Sequence, residues 1–97
     1  MSFDPIIHAP LRLRLCSILA AVDEAEFSVI REQLEVSDSV LSKHITTLSD
    51  NSYVKVRKGR VGDRRTTWIS LTRLGDKALQ GHLATLQQII DSASPPT

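Results

Sequence analysis

Apolar residues recur at helical spacing in the first part of the chain. Between residues 10 and 22 they stand at positions i, i+4, i+7 and i+11, which is one face of a helix: Leu11, Leu15, Ile18 and Val22. Pro10 suits the first turn, because the N–H that proline lacks would have no partner there. The acidic stretch 23–26 ends the pattern, and a very short extended segment is expected around Phe27.

Two short helices are predicted next. Ser28 is expected to cap a second helix that ends near Glu35, with an apolar side made of Val29, Ile30 and Leu34. After a tight connection, Ser37 is a good N-cap for a third helix over 38–50, because its hydroxyl can accept from an otherwise unpaired backbone N–H. The buried stripe of this third helix is predicted at Leu41, Ile45 and Leu48.

A strand-like alternation follows the third helix. Residues 53–57 and 66–71 alternate between apolar and polar side chains and are rich in residues that favour strands. Gly59, Gly62 and Asp63 lie between them and are typical of turns. The pattern predicts two strands joined by a basic, glycine-containing loop.

The last helix is predicted over residues 72–93, with Thr72 at its start. Its stripe follows heptad-like spacing at Leu79, Leu83, Leu86 and Ile90. The stripe could pack on its own domain, and near Leu74 and Ala78 it is expected to do so in part. Beyond about Gly81 we expect the helix to extend past a core of this size. The same helix of a second copy is the simplest partner, so the four stripe residues are assigned to a homodimer interface.

The order of elements predicts the fold class. Three helices, a two-stranded hairpin and a long C-terminal helix form a mainly α protein with a small β-hairpin. Two short helices joined by a tight turn and followed by a two-stranded ribbon are typical of a winged helix-turn-helix. A chain of 97 residues is the size of one domain, which we place at 1–97.

Charge is concentrated in the hairpin. Residues 55–65 carry six cationic side chains and one acidic one, a net charge of +5, whereas the other 86 residues carry a net charge of −4. A basic segment on a mildly acidic body is typical of proteins that bind polyanions, although a solvated loop would look the same by charge alone.

The outward face of the third helix is short and polar. At 100° per residue, the side opposite the buried stripe carries Ser39, Lys43, Thr46 and Asp50, with Ser42 and Thr47 on its flanks. Such a face fits the major groove, where small side chains allow close approach to base edges. An ordinary solvent-exposed face is the alternative; the neighbouring basic hairpin favours groove binding. The expected major-groove contacts are Ser39, Val40, Ser42, Lys43, Thr46 and Thr47.

The sequence resembles MarR-type transcriptional regulators. The resemblance rests on residues 63–72, which read Asp-Arg-Arg at a hairpin tip, a strand and then Leu-Thr before a helix. Residues 41–45 with 48 and 51–54, and the first helix from Pro10, are also similar. It extends from about Ala9 to Leu86, closest to the short single-domain type, and implies a DNA-binding regulator. Full-length MarR proteins have additional helices that form a ligand cleft, so any small-molecule effector here is unknown.

The resemblance also implies roles in the hairpin. Asp63 would orient the hairpin, which is the wing of a winged helix, and Arg64 or Arg65 would contact DNA. Physical arguments agree, because an arginine at a hairpin tip can enter a narrow minor groove and a carboxylate can hold an arginine through a charge-assisted hydrogen bond. Which arginine contacts DNA stays open. Arg57, Lys58 and Arg60 are expected to bind phosphates, and Trp68 to pack on the hairpin.

The remaining residues argue against other classes. Cys16 is the single cysteine and is expected to be a buried structural residue. The three histidines His8, His44 and His82 are scattered, with no metal-ligand spacing, and no nucleophile has a plausible base nearby. We expect no enzyme activity, cofactor or metal. Without a signal peptide or a long apolar run, the expected location is the cytoplasm, in association with the nucleoid.

The preferred function is a sequence-specific, double-stranded DNA-binding transcriptional regulator, expected to be a repressor. Its homodimer would read a pseudo-palindromic operator with two recognition helices about 34–36 Å apart. The alternative is a winged helix protein-interaction module without DNA specificity of its own. Binding of structured RNA by the same charges is a weaker third reading.

Overall fold

Five helices and three strands form the part of the chain that the structure describes. The computed structural model describes residues 4–93, so the predicted domain limits of 1–97 extend beyond the described part at both ends. The elements are α1 (Pro5–His8), α2 (Pro10–Ala20), β1 (Ala25–Glu26), α3 (Phe27–Leu34), α4 (Asp38–Asp50), β2 (Val54–Val61), β3 (Arg64–Leu71) and α5 (Arg73–Ala93). The predicted class, mainly helical with a small hairpin, is confirmed. None of the helices in residues 4–93 is long and apolar enough to cross a membrane.

The sheet has the order β1-β3-β2 and is antiparallel throughout. The hairpin pairs continuously from Val54↔Leu71 to Val61↔Arg64. The loop predicted between the strands is therefore shorter than the gap between residues 57 and 66, since only residues 62 and 63 form the turn. Gly62 has a φ of 62°, a left-handed conformation that glycine adopts without steric cost and that suits a two-residue hairpin turn. The cationic side chains thus stand on a regular ribbon.

The start of α3 also differs from the prediction. Its N-cap is Glu26, and Ser28 lies inside the first turn. Glu26 pairs with Trp68 in the sheet, so the chain turns into the helix immediately after this pair. Ile30 and Leu34 are buried as predicted, whereas Val29 is exposed. By contrast α4 begins as predicted, because the Ser37 hydroxyl accepts from Val40 N at 3.2 Å.

The buried face of α2 is wider than a single stripe. Its buried residues are Leu15, Cys16 and Leu19, while Leu11 and Ile18 are half-buried. The helix contacts α1, α3, α4, α5 and β3, so it is covered on several sides. Val22, predicted to be buried, is exposed because the helix ends at Ala20. Cys16 is fully buried, as expected, and burial raises the pKa of its thiol to about 11.

The core lies between α2 and the elements packed around it. The predicted stripe of α4 is buried, and Val54, Ile69 and Leu79 join it from the hairpin and α5. The short helix α1, which was not predicted, adds the fully buried Ile7.

Candidate nucleic-acid interface

The outward side of α4 carries the residues predicted to read the major groove. Five of them are exposed: Ser39, Val40, Ser42, Lys43 and Thr46. Thr47 is half-buried, and its hydroxyl donates to the carbonyl of Lys43 at 3.2 Å, so it bonds within its own helix. The exposed side chains are short around a single long cation, a surface that a groove can approach closely.

The hairpin register divides its cations between two faces, because residues paired across an antiparallel ladder project to the same side. One face carries the buried Ile69 and, further towards the tip, the cations Lys58, Arg60 and Arg65. The opposite face carries Trp68, Thr66 and the two other arginines, Arg57 and Arg64. The predicted basic residues are thus separated into two sets with different neighbours.

An open groove connects α4 with the first of these faces. It has a volume of about 520 Å³ and is lined on the helix side by Ser42, Thr46 and Asp50, and on the hairpin side by Lys58 and Thr67. Asp38 also lines it and is paired with Arg31, with 2.9 Å between Oδ1 and Nε. The helix and the ribbon therefore border one continuous surface, to which each contributes predicted site residues.

Two carboxylates that were not predicted from the sequence pair with the arginines of the second face. Glu24 pairs with Arg57, with 2.6 Å between Oε1 and Nη2, and the guanidinium carbon of Arg57 lies 5.5 Å from the Trp68 ring centroid. The hydrogen bond to Glu24 raises the pKa of Arg57. Glu26 Oε1 lies 3.0 Å from Arg64 Nη1.

The predicted ion pair of Asp63 does not form. Among the described residues, the ion pairs of the wing arginines are those with Glu24 and Glu26, and Asp63 takes part in none. Asp63 sits in the turn, where its exposed side chain projects into solvent. Segment 23–26 is acidic and the wing is basic. This difference in charge could have indicated that the two segments form ion pairs.

Asp4 and His8 contact His82 on α5 and Tyr53 just before β2, and we call these four residues the polar junction. Asp4 caps α1, accepts a hydrogen bond from the Tyr53 hydroxyl, and donates through its backbone N–H to His82 Nδ1 at 3.3 Å. The hydrogen bond to Asp4 raises the pKa of Tyr53 to about 12. His82 Nε2 lies 3.4 Å from His8 Nδ1. The histidines are therefore not all scattered, although residues 4–93 contain no group of three or more side chains suited to a metal ion.

Arg12 connects this junction to α4. Its Nε donates to the carbonyl of Ile6 at 2.6 Å, and its Nη1 lies 3.2 Å from His44 Nδ1. His44 is half-buried, and burial, followed by the charge of Arg12, lowers its pKa. His44 thus lies half-buried beside the predicted stripe of α4.

The predicted dimer stripe of α5 has two different halves. Leu79 is 1% exposed and belongs to the core of its own domain, so its assignment to a dimer interface was wrong. Leu83 and Ile90 are 39% and 59% exposed, and Leu86 is half-buried. Leu74, expected to pack on the domain, is 52% exposed.

Comparison with known proteins identifies the fold. Residues 11–90 match the family described as a winged helix DNA-binding domain. The chain belongs to this family. The winged helix protein is also similar to the solved structure of a transcriptional regulator homologue from Pyrococcus horikoshii, with 30% identity and a TM-score of 0.86 over 93% of this chain and 89% of that one. It is a DNA-binding transcriptional regulator by family and fold.

One further solved structure and one further protein sequence are similar to this chain. ZitR of Lactococcus lactis, a zinc-responsive MarR family member, superposes with a TM-score of 0.60 and 23% identity over 87% of this chain and 62% of that one. The predicted MarR resemblance is thus confirmed in the fold. An uncharacterized protein of Methanocaldococcus jannaschii is 24% identical over 84 residues, 87% of this winged helix chain and 91% of that protein.

Proposed function

We propose that this winged helix protein is a homodimeric repressor that binds a pseudo-palindromic operator. α4 would enter the major groove with Lys43 and the small residues around it, and the hairpin would lie on the adjacent minor groove and backbone. The groove shared by α4 and the hairpin carries this proposal, because it lets both elements contact one duplex. It would act in the cytoplasm, on the nucleoid.

The exposed half of α5 supports the homodimer. A helix of 21 residues is about 31 Å long at 1.5 Å per residue. Leu79 and His82 are buried in the domain, while Leu83, Ile89 and Ile90 towards the end of the helix are exposed. Since this apolar side continues the one already buried, we assign a second copy of α5 to it. A two-fold pairing would place the two recognition helices about one DNA turn apart.

Selection from a random-sequence duplex pool tests the DNA-binding proposal. We expect an enriched site of two inverted half-sites, with Lys43→Ala losing about 1–3 kcal/mol of discrimination at one position of each half-site. Combined Arg64→Ala and Arg65→Ala should lower affinity for all duplexes and reduce the dependence on salt. Lys77→Ala removes an exposed cation from α5 and serves as the control.

A pool without enrichment, together with no duplex binding at low salt, would contradict the proposal and favour a protein-interaction module. Stronger binding of structured RNA than of duplex DNA would also contradict it.

A further inference from the structure

Glu26 lies where three elements meet. It ends β1, where it pairs with Trp68, and it is the N-cap residue of α3. Its side chain is only 16% exposed, and one oxygen, Oε1, accepts from Thr66 Oγ1 at 2.6 Å and lies 3.0 Å from Arg64 Nη1. A mostly buried carboxylate with two donors on one oxygen is a strong local restraint, because charge-assisted hydrogen bonds are the stronger kind.

The position of Arg64 separates it from the groove beside α4. Arg64 projects on the same hairpin face as Thr66, whereas Lys58 and Thr67, which line the groove, project on the other. The pair with Glu26 therefore holds the guanidinium on the far side of the ribbon. Arg65 is on the groove side by the same register.

The hairpin needs such a restraint. A two-stranded ribbon is only marginally stable by itself, and β1 pairs with β3 at two positions only, Ala25↔Ile69 and Glu26↔Trp68. Beyond Trp68 towards the tip, the bonds from Thr66 and Arg64 to Glu26 are the side-chain hydrogen bonds and ion pairs by which the described residues tie the ribbon to the helical body.

We propose that Glu26 is a positioning residue for DNA binding, and that Arg64 is its anchor rather than a DNA contact. Glu26 fixes the angle of the wing relative to α3 and α4, so that Lys58 and Arg65 meet the duplex beside the recognition helix. The proposal rests on the proposed DNA-binding function, and it deepens that function by naming what orients the wing.

A double-mutant cycle on the full chain tests the proposal, with fluorescence anisotropy on the selected duplex as the measurement. Glu26→Ala should weaken binding about tenfold, as expected for the loss of hydrogen bonds to a charged group. Arg64→Ala should have a similar effect without changing the salt slope, whereas Arg65→Ala should reduce the slope by about one. In the Arg64→Ala background, Glu26→Ala should add less than about threefold.

Two variants distinguish the positioning role of Glu26 from the effect of its negative charge. Glu26→Gln keeps an oxygen that can accept from Thr66 and Arg64, so it should restore most of the affinity that Glu26→Ala loses. Asp23→Ala removes the same charge from an exposed position three residues away and should not weaken binding. Tighter binding by Glu26→Ala, or a smaller salt slope for Arg64→Ala, would overturn the proposal, because charge repulsion or direct contact would then dominate.

Amide hydrogen exchange of the free protein supplies a readout that needs no DNA. Glu26→Ala should increase exchange at residues 58–67, and Asp23→Ala should not. Unchanged exchange in Glu26→Ala would refute the positioning role even if wild type bound DNA. Increased exchange in a protein that binds no duplex would instead show that the DNA-binding proposal had failed.

Discussion

Gly75 is the residue at which α5 passes closest to the entrance of the wing. A Cβ atom at this position would collide with the carbonyl oxygen of Tyr53 and lie 2.9 Å from Leu71 Cδ1. That carbonyl also accepts from Thr72 N at 3.0 Å, and Gly75 N donates to the Thr72 hydroxyl at 2.9 Å. The glycine therefore lets the start of α5 seat directly against the base of the hairpin.

Gly75→Ala should accordingly destabilise the protein by about 1–3 kcal/mol, because the backbone must shift to admit a methyl group. Gly81 provides the matched control within the same helix, since a Cβ there would meet nothing within 4 Å. Gly81→Ala should stabilise the protein by about 0.5–1 kcal/mol through helix propensity. Urea denaturation of the two variants measures both effects, and equal changes would contradict this assignment of Gly75.

At the scale of the elements, the attachment of α1 to α5 depends on the protonation of His82. The backbone N–H of Asp4 donates to His82 Nδ1, so a neutral His82 carries its proton on Nε2 and directs it towards His8 Nδ1. A second proton on His82 would set two N–H groups against each other. Burial, followed by the proximity of His8, lowers the pKa of His82, and Asp4 partly opposes this effect.

The stability of the protein should therefore fall as the pH is lowered. The unfolded chain takes up a proton near the ordinary histidine pKa of about 6.5, which the folded His82 resists. The contribution of His82 to the free energy of unfolding is fully present above that pH. It is lost as the pH falls further, by at most about 1.4 kcal/mol per pH unit for this one proton. His44, whose pKa is also lowered, contributes in the same direction.

Urea denaturation at pH 7 and at pH 5 measures this dependence. His82→Asn offers an acceptor for the Asp4 N–H but does not titrate, so its stability should change less between the two pH values. His44→Asn gives the separate contribution of the second histidine. A pH dependence as steep in His82→Asn as in the wild type would show that the junction is not its source.

The elements that the sequence predicted well are those determined by neighbouring residues. α4 was predicted because its cap, Ser37, and its buried stripe lie within one continuous segment, and this helix also carries most of the predicted major-groove residues. Val22 was mispredicted because its burial depends on where α2 ends and on what packs there. α1 had a local signal that was overlooked, an Asp-Pro pair that caps and starts a helix.

The ion pairs and hydrogen bonds between distant parts of the chain could not be predicted from neighbouring residues. Asp63 was expected to hold one of the wing arginines that follow it in the chain, yet the structure places Glu26, 38 positions before Arg64, against Arg64. Only the folding of β1 onto β3 brings these residues together. The junction of His8 with His82 depends likewise on α1 packing against α5.

For the molecule as a whole, the decisive question is the assembly through α5. Leu83→Glu combined with Ile90→Glu places two charges on the apolar side of the helix beyond the core. We expect this variant to be a folded monomer and the wild type a dimer, since buried unpaired charges oppose association. Gln88→Glu adds a charge to the opposite side of the helix and should stay dimeric.

Sedimentation velocity gives the oligomeric state, and circular dichroism confirms that the variants are folded. A monomeric wild type at micromolar concentration, or a dimer that survives both glutamates, would show that this side of α5 is not the interface.

The passage from the wing into α5 has a consequence for operator choice. Thr72 alone separates β3 from α5, and its hydroxyl and backbone are bonded on both sides, so no linker lies between the wing and the dimer helix. In the proposed dimer, one extra base pair between half-sites would rotate one of them by about 35° around the duplex axis. A body without a hinge cannot follow that rotation. Such a protein would reject mis-phased sites even when every base it touches is correct.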